Sequence, residues 1–280
     1  MIGIVGLGLL GSAVGERLIR AGFAVCGYDT QANRRQALET LGGNAVDAAS
    51  QVFSACEIVL LVLPDSQVVR GVLASVAPRP GSVIVDLTTG DPEQMAEFGE
   101  ALAKSGVAYL DATVGGSSEQ VRGQDAIVMV GGEKAALERV EVLLKTFSRE
   151  VFHVGTCGNG ARMKLAMNLV LGLNRAVLAE GLAFAAACGL SMDDALRVFR
   201  AGPAWSRVMD LKGRRMIDRD FVPAARLAQH RKDVDLILAA AAKNGARTPL
   251  SSVHRELLRE VEQEGFGAED NSAIIRAFRT

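Results

Sequence analysis

The sequence predicts an α/β domain followed by an all-α domain, and three observations carry that prediction. Short β-branched runs alternate with amphipathic stretches through the first half of the chain. A glycine-spaced turn, GLGLLG, directly follows the first of those runs. Past residue 158 the strand signal stops and only helical patterns remain. Strands alternating with helices build a mostly parallel sheet with both faces covered. The expected domains are therefore 1–158 and 159–280.

The strand candidates, in order, are IGIV (2–5), AVCGYD (24–29), IVLLVL (58–63), SVIVDL (82–87), VAYLDA (107–112), AIVMVG (126–131) and VFHVG (151–155). Amphipathic stretches such as GSAVGERLIRAG, DSQVVRGVLASV and PEQMAEFGEALAKSG lie between most of them. No helical pattern separates Ala112 from Ala126, which reads as a hairpin-like or antiparallel extension at the sheet edge. The second half reads as helices over 160–188, 191–201, 206–217, 226–243, 249–264 and 270–279. CGLS, AGPA, DFVP, NGARTP and GFG supply the stops and starts between them. The long helix beginning near Gly160 joins the two domains.

Composition narrows the function. Hydrophobic residues make up 49% of 280, enough for a sizeable core and against disorder. With 31 basic and 32 acidic residues the net charge is -1, which argues against an electrostatic grip on nucleic acid or an anionic membrane. Cys26, Cys56, Cys157 and Cys188 are scattered with no CxxC pair, as suits a reducing compartment. The apolar N-terminus lacks a basic leader and reads as a buried strand. Asn174, Arg175 and Glu180 interrupt the long apolar stretch from Leu165, so no membrane span is expected. The expectation is a soluble cytoplasmic protein.

GLGLLG places Gly6, Gly8 and Gly11 between a strand and a helix, with Leu9 and Leu10 filling the turn. The first glycine permits the tight turn, the second lets a pyrophosphate approach the backbone, and the third lets helix and strand pack closely. Phosphates then meet unpaired N–H groups at the helix start. Asp29 ends the second strand at the spacing where an acid binds a ribose 2′-hydroxyl. The cofactor expected is a dinucleotide, NAD by the charge of Asp29, with NADP as the alternative. Arg34 and Arg35 admit two readings: partners for a 2′-phosphate, or solvated charges on a helix face.

In the stretch GARMKLAMN, Lys164 and Asn168 share one helix face, continued by Leu171 and Arg175. On the helix alone two roles stand open for Lys164. It is a lysine snorkelling at the rim of a core helix, or a group that exchanges a proton with an alcohol losing hydride. Burial or a nearby cation adapts a lysine to the second role, and an asparagine amide can bind the same oxygen without adding charge. His153, His230 and His254 have no motif around them that suggests catalysis.

Several ordered blocks, covering nearly the whole chain, resemble the β-hydroxyacid dehydrogenase (3-hydroxyisobutyrate dehydrogenase-like) family. They are GIVGLGLLGSAVGERLIRAG, VLLVLPDSQVVRGVL, VDLTTGDP, DATVGGSSEQV, VGTCGNGARMKLAMN and HRKDVDLILA. The resemblance implies a Rossmann-like domain leading into a helical domain of the 6-phosphogluconate dehydrogenase type. It implies an active site in an interdomain cleft and homodimers or homotetramers paired through the helical domains. It places Leu63, Pro64, Thr89 and Lys232 at the cofactor. Thr113, Gly115, Gly116, Ser117 and Asp233 fall at the substrate, with a substrate carboxylate on backbone N–H groups of Gly115 to Ser117. Lys164 falls on the catalytic lysine and Asn168 on the substrate asparagine.

The sequence departs from that pattern at a few places. The substrate loop, commonly DAPVSGG, is Asp111-Ala112-Thr113-Val114-Gly115-Gly116-Ser117, so a hydroxyl is lost at Gly115 and gained at Ser117. Glycine there resembles sulfolactaldehyde reductases, but those follow it with an arginine for the sulfonate, where this chain has Gly116. Met167 stands where relatives carry another asparagine, and Ala225 where an aromatic is frequent. Trp205 and Arg207 begin a helix that either lines the cleft or packs on its neighbour. The reading is an NAD(P)-dependent oxidoreductase interconverting a small β-hydroxy carboxylate and its semialdehyde or keto form. Its rivals are a reductase of a bulkier carbonyl or imine, and a dinucleotide-binding protein without catalysis.

Overall fold

The structure, a computed structural model, describes residues 1–278. It divides into two compact units, Met1–Lys164 and the residues from Leu165 on.

In the first unit β1 (Ile2–Val5), β2 (Val25–Tyr28), β3 (Asn44–Ala45), β4 (Ile58–Leu61), β5 (Val83–Asp86), β6 (Ala108–Gly115), β7 (Ala126–Gly131) and β8 (Ser148–His153) form one sheet. The strand order is β3-β2-β1-β4-β5-β6-β7-β8. The first six run parallel, and the order turns back on itself between β1 and β4, the switch point at which such sheets bind ligands. β7 pairs antiparallel with β6, as the missing helical pattern after Ala112 predicts, and β8 runs parallel to β7.

Helices α1 (Leu9–Arg20), α2 (Ala32–Thr40), α3 (Ala49–Ala55), α4 (Ser66–Ala74), α5 (Pro92–Ala103), α6 (Ser118–Arg122) and α7 (Lys134–Leu144) connect the strands. Two small elements depart from expectation. β3 is two residues long, too short for any periodicity to betray. α6 is a single turn within the stretch expected to lack a helix, and the capping box of Ser117 and Gln120 starts it.

Side-chain alternation sends Ile4, Leu60, Val85 and Leu110 to one face of the sheet and Val5, Leu61, Ile84 and Tyr109 to the other. Both faces are buried, which is why these strands read as continuous apolar runs. Four of these strands, β1, β2, β4 and β5, also finish level. Val5 pairs with Tyr28 and with Leu61, Leu61 with Asp86, and Asp86 with Asp111. Every loop that leaves a carboxyl end of β1, β2, β4 or β5 therefore departs from one end of the sheet, while β6 runs on past Asp111 to Gly115.

The second half begins with α8 (Asn159–Ala187), followed by α9 (Met192–Ala201), α10 (Arg214–Asp218), α11 (Leu227–Lys243) and α12 (Pro249–Val261). α8 is long and apolar enough to cross a membrane by length and composition alone. In the helical unit it instead supplies core: Leu178, Ala179 and Leu182 pack with Val234, Leu258 and Ile274. Three expected helices differ in kind over part or all of their length. Met209–Gly213, ahead of α10, and Glu262–Phe266, after α12, are π-turns, and Asn271–Ala277 is a 3-10 helix. The expected end of the last helix, at 279, lies outside the described residues.

Candidate active site

The glycine turn has the geometry its spacing predicts. Gly6 sits at φ +99, and a Cβ there would stand 2.2 Å from the carbonyl oxygen of Val62. A Cβ on Gly11 would lie 1.9 Å from the carbonyl oxygen of Gly6, so α1 approaches the turn as closely as backbone allows. Gly8 differs: a Cβ there would meet only the tip of Arg34, 3.7 Å away. Gly8 is also the N-cap of α1 and brings no side-chain acceptor to the helix start, where Leu9 is 74% exposed. Open space over uncapped N–H groups is what a pyrophosphate requires, so these residues fit the dinucleotide.

Asp29 is buried at the end of β2 and braces this turn. Its Oδ2 accepts the Leu7 N–H at 2.8 Å and its Oδ1 accepts the Gln31 N–H at 2.9 Å. Arg34 and Arg35 are not solvated charges on a helix face. Arg34 Nη1 lies 3.3 Å from Asp29 Oδ2, and Arg35 donates to the Asp29 carbonyl at 2.8 Å. The buried Asp29 carboxylate draws in Arg34, while Arg35 is held by the main-chain carbonyl and by Asp47 at 3.5 Å. Arg34 tempers the repulsion that Asp29 alone would exert on a 2′-phosphate.

Leu63 and Pro64 leave β4 at the same end. The Leu63 N–H donates to Thr88 Oγ1 at 3.1 Å, the Thr88 N–H to Asp86 Oδ1 at 2.9 Å, and the Tyr109 hydroxyl to Asp86 Oδ2 at 2.6 Å. Burial pushes the Asp86 carboxyl up to about 6. Three strands are tied together below Thr89, which is half-buried beside Thr88. Sequence reasoning missed Asp86, Thr88 and Tyr109. The available signal was polar residues ending two adjacent apolar runs, VIVDLT and AYLDAT.

The end of β6 and the start of α8 are bound by four further hydrogen bonds. Asp111, 1% exposed, accepts the N–H of Gly158 at 3.0 Å and of Ala161 at 2.8 Å. Burial outweighs these amides and pushes its carboxyl up to about 7. Thr113 donates to the carbonyl of Gly160 at 2.9 Å. Lys164 Nζ donates to the carbonyl of Val114 at 2.8 Å. The lysine thus ends against the strand that runs into the substrate loop.

That loop corrects two expectations. Thr113 is 0% exposed, and its hydroxyl positions α8 where a substrate contact was expected. It sits on the inward-facing position of a strand buried on both sides. Ser117 is turned to its own helix: its Oγ accepts the Gln120 N–H at 3.2 Å, and its N–H is donated to Gln120 Oε1 at 3.0 Å. The loop amide at Ser117 is therefore already engaged. Gly115 is half-buried and Gly116 exposed.

In the helical unit, Asn168 is buried and donates from Nδ2 to Asp233 Oδ2 at 3.1 Å. Lys232 and Asp233 are half-buried neighbours on α11, and Met167 is half-buried beside Asn168. His230 and His254 are buried against each other, ring centroids 5.2 Å apart, although both lie in charged stretches of sequence. In the first unit, His153 bonds the Gly132 carbonyl at 2.8 Å. Trp205 is exposed and donates to Asp210 at 3.2 Å.

Comparisons with known proteins give the family and the fold. Residues 1–155 match the family model for the NAD binding domain of 6-phosphogluconate dehydrogenase. Residues 158–278 match that for the NAD-binding of NADP-dependent 3-hydroxyisobutyrate dehydrogenase. The chain is 31% identical to a 2-hydroxy-3-oxopropionate reductase of Escherichia coli, over 99% of this chain and 96% of the relative. It is 28% identical to a 2-(hydroxymethyl)glutarate dehydrogenase of Eubacterium barkeri, over 99% and 94%. A Mycobacterium tuberculosis 3-hydroxyisobutyrate dehydrogenase structure with L-serine superposes with a TM-score of 0.92 at 25% identity, covering 100% of this chain and 99% of that one.

Asp29→Ser tests the cofactor geometry. It removes the acid from the ribose position and frees Arg34. Titrations should show NAD weakened by about tenfold, the value of a hydrogen bond to a charged group, while NADP holds or tightens. An unaltered preference would remove Asp29 from cofactor selection.

Proposed function

The chain belongs to the β-hydroxyacid dehydrogenase family, and from that premise we propose that Lys164 exchanges the substrate proton as an NAD(P)-dependent enzyme interconverts a small β-hydroxy carboxylate and its semialdehyde or keto form. The observation that carries this reading is the seating of Lys164, 2.8 Å from the carbonyl that precedes Gly115, Gly116 and Ser117. Bound NAD or NADP supplies or takes the hydride. We assign Gly6, Gly8, Leu9, Leu10, Gly11, Asp29, Leu63, Pro64, Thr89 and Lys232 to the cofactor.

In oxidation neutral Lys164 takes the hydroxyl proton, and in reduction its ammonium returns it to the carbonyl oxygen. Asn168, with one amide N–H given to Asp233, keeps its other N–H and its oxygen for that same substrate atom. Asp233 acts by orienting Asn168. The substrate carboxylate rests on the amides of Gly115 and Gly116. With Ser117 capping α6 and glycine at position 115, neither of these two positions offers a hydroxyl to the substrate. Met167 adds an apolar wall where an amide is usual. Residues 1–158 carry the cofactor role and 159–280 the substrate and oligomerisation roles, in a cytoplasmic protein.

Val170, Val177 and Phe184 recur at seven-residue spacing along α8 and are all exposed. An apolar stripe of that period suits helix pairing, and we assign it to a homodimer or homotetramer. Sedimentation should return a multiple of the 29.5 kDa chain mass, and a single chain mass would contradict the assignment.

A panel of small hydroxy carboxylates with NAD and with NADP, followed at the reduced-nicotinamide absorbance band, tests the function. β-Hydroxy acids should reduce a cofactor and the matching aldehyde acids should oxidise its reduced form. Silence of the whole panel in both directions would overturn the reading.

A further inference from the structure

Asp111 holds the start of α8 with both oxygens of its carboxylate, and each oxygen faces a different amide. Oδ1 accepts the Gly158 N–H at 3.0 Å and Oδ2 accepts the Ala161 N–H at 2.8 Å. An ionised carboxylate suits this arrangement because it is acceptor-only. Protonation turns one oxygen into a donor and weakens the charge-assisted bond that oxygen accepted. The surroundings are close: a Cβ on Gly131 would stand 2.3 Å from Oδ1, and one on Gly160 would stand 2.9 Å from Oδ2.

The other groups at this junction are neutral or engaged elsewhere, Asp86 apart. Asp86 pairs with Asp111 in the register of β5 and β6 and disfavours a second charge beside its own. Tyr109 gives its hydroxyl to Asp86, and burial keeps it a neutral phenol. Cys157 gives its thiol to the Met95 carbonyl of α5 at 3.1 Å, and burial pushes it up to about 12. β7 meets the carboxylate with the backbone of Gly131. On α8, Arg162 donates to Asn159 at 3.0 Å and Lys164 to the Val114 carbonyl at 2.8 Å. No cation bonds Asp111 among the described residues, so the amides hold its charge against burial.

Lys164 follows Ala161 by three residues, which places the two on one face of successive turns. A shift of the Ala161 amide away from Asp111 carries the root of Lys164 with it. A misplacement of about 1 Å costs about a hundredfold in a reaction that depends on position. We propose that ionised Asp111 is a positioning residue for Lys164, and that a proton taken up by Asp111 lets the first turn of α8 slip and withdraws the lysine from its working place. This rests on the role proposed for Lys164 and adds a pH switch to it.

Activity and stability then answer pH with opposite signs. Burial pushes the Asp111 carboxyl from an ordinary 3.8 to about 7 in the folded chain. A raised carboxyl holds its proton more tightly folded than unfolded. Its contribution to stability is full below about pH 4, falls as pH rises to about 7, and is flat above that. The ionised form, which positions Lys164, appears as that stability is lost.

Reductive turnover from pH 8 to pH 5, with thermal melting on the same samples, tests this in wild type and Asp111→Asn. The reductive direction is chosen because the Lys164 ammonium is the acid there and gives no loss of rate on the acid side. Wild-type kcat should fall below about pH 7, by up to about a hundredfold, to the level of Asp111→Asn. Asp111→Asn, with an NH2 in place of one acceptor, should be slow by about that factor at pH 8 and show no acid limb. It should melt at or above wild type at pH 8, an advantage that shrinks towards pH 5 as wild type takes up its own proton. Amide exchange over residues 157–165, measured without substrate, should be faster in Asp111→Asn than in wild type at pH 8 and alike at pH 5. An acid limb that survives in Asp111→Asn would overturn the proposal, as would a variant that melts below wild type at pH 8. If Asp111→Asn does not fold, the wild-type profile decides, and a rate that holds steady down to pH 5 would overturn the switch. Faster exchange in Asp111→Asn, in a chain that reduces no aldehyde acid, would leave the hold on α8 standing and remove the proposed function. Ready turnover without an acid limb would do the reverse.

Discussion

The carboxylate of Asp111 fixes where α8 begins, and the rest of the candidate site depends on that. Two amides from the first turn of the helix converge on it, at 3.0 and 2.8 Å, inside a region closed to water. An anion against a helix N-terminus is favourable both as a hydrogen-bond acceptor and against the helix dipole. The approach is tight: a Cβ on Gly160 would stand 2.1 Å from the Asp111 carbonyl oxygen, so glycine alone fits. Thr113 closes the same junction from the next inward position of β6. With the helix start held by these contacts, Lys164 follows in the next turn and reaches the Val114 carbonyl.

The other half of the chemistry depends on strands that end level. Because Val5, Tyr28, Leu61 and Asp86 stand in register at the ends of their strands, the loops that follow them leave one end of the sheet. The glycine turn, Asp29, Leu63 and Thr89 are scattered over more than eighty residues of sequence and reach that end by register alone. Asp86 stiffens it from beneath, joining β4, β5 and β6 through Thr88 and Tyr109. Polar groups buried this deeply hold position when all their bonds are made, and here they are made within one relay.

Much of this is legible in the sequence because it is local. The glycine spacing, the acid at the end of β2, and the lysine and asparagine one turn apart are all short-range patterns. What escaped is set by register or by burial. The Asp86–Thr88–Tyr109 relay needs three strands aligned, and the inward turn of Thr113 needs the face of β6 to be known. Arg34 reads as a surface charge until Asp29 is seen to be buried beneath it. Arg175 is the sharpest case. In the sequence it merely interrupts an apolar stretch, and in the helical unit it is buried, within reach of the Asp270 charge and the His254 ring. β3, at two residues, carries no periodic signal at all.

The central claim is that the ammonium held at Val114 is the group that moves the proton, and that it does nothing essential for cofactor binding. The most direct measurement is turnover of Lys164→Ala on the best substrate of the wild type, with the dissociation constant for cofactor determined on the same preparation. Loss of a general acid–base group should lower kcat by about a thousandfold. The cofactor constant should stay within about twofold, since the glycine turn and Asp29 are untouched. Turnover near the wild-type rate with the lysine gone would contradict the account.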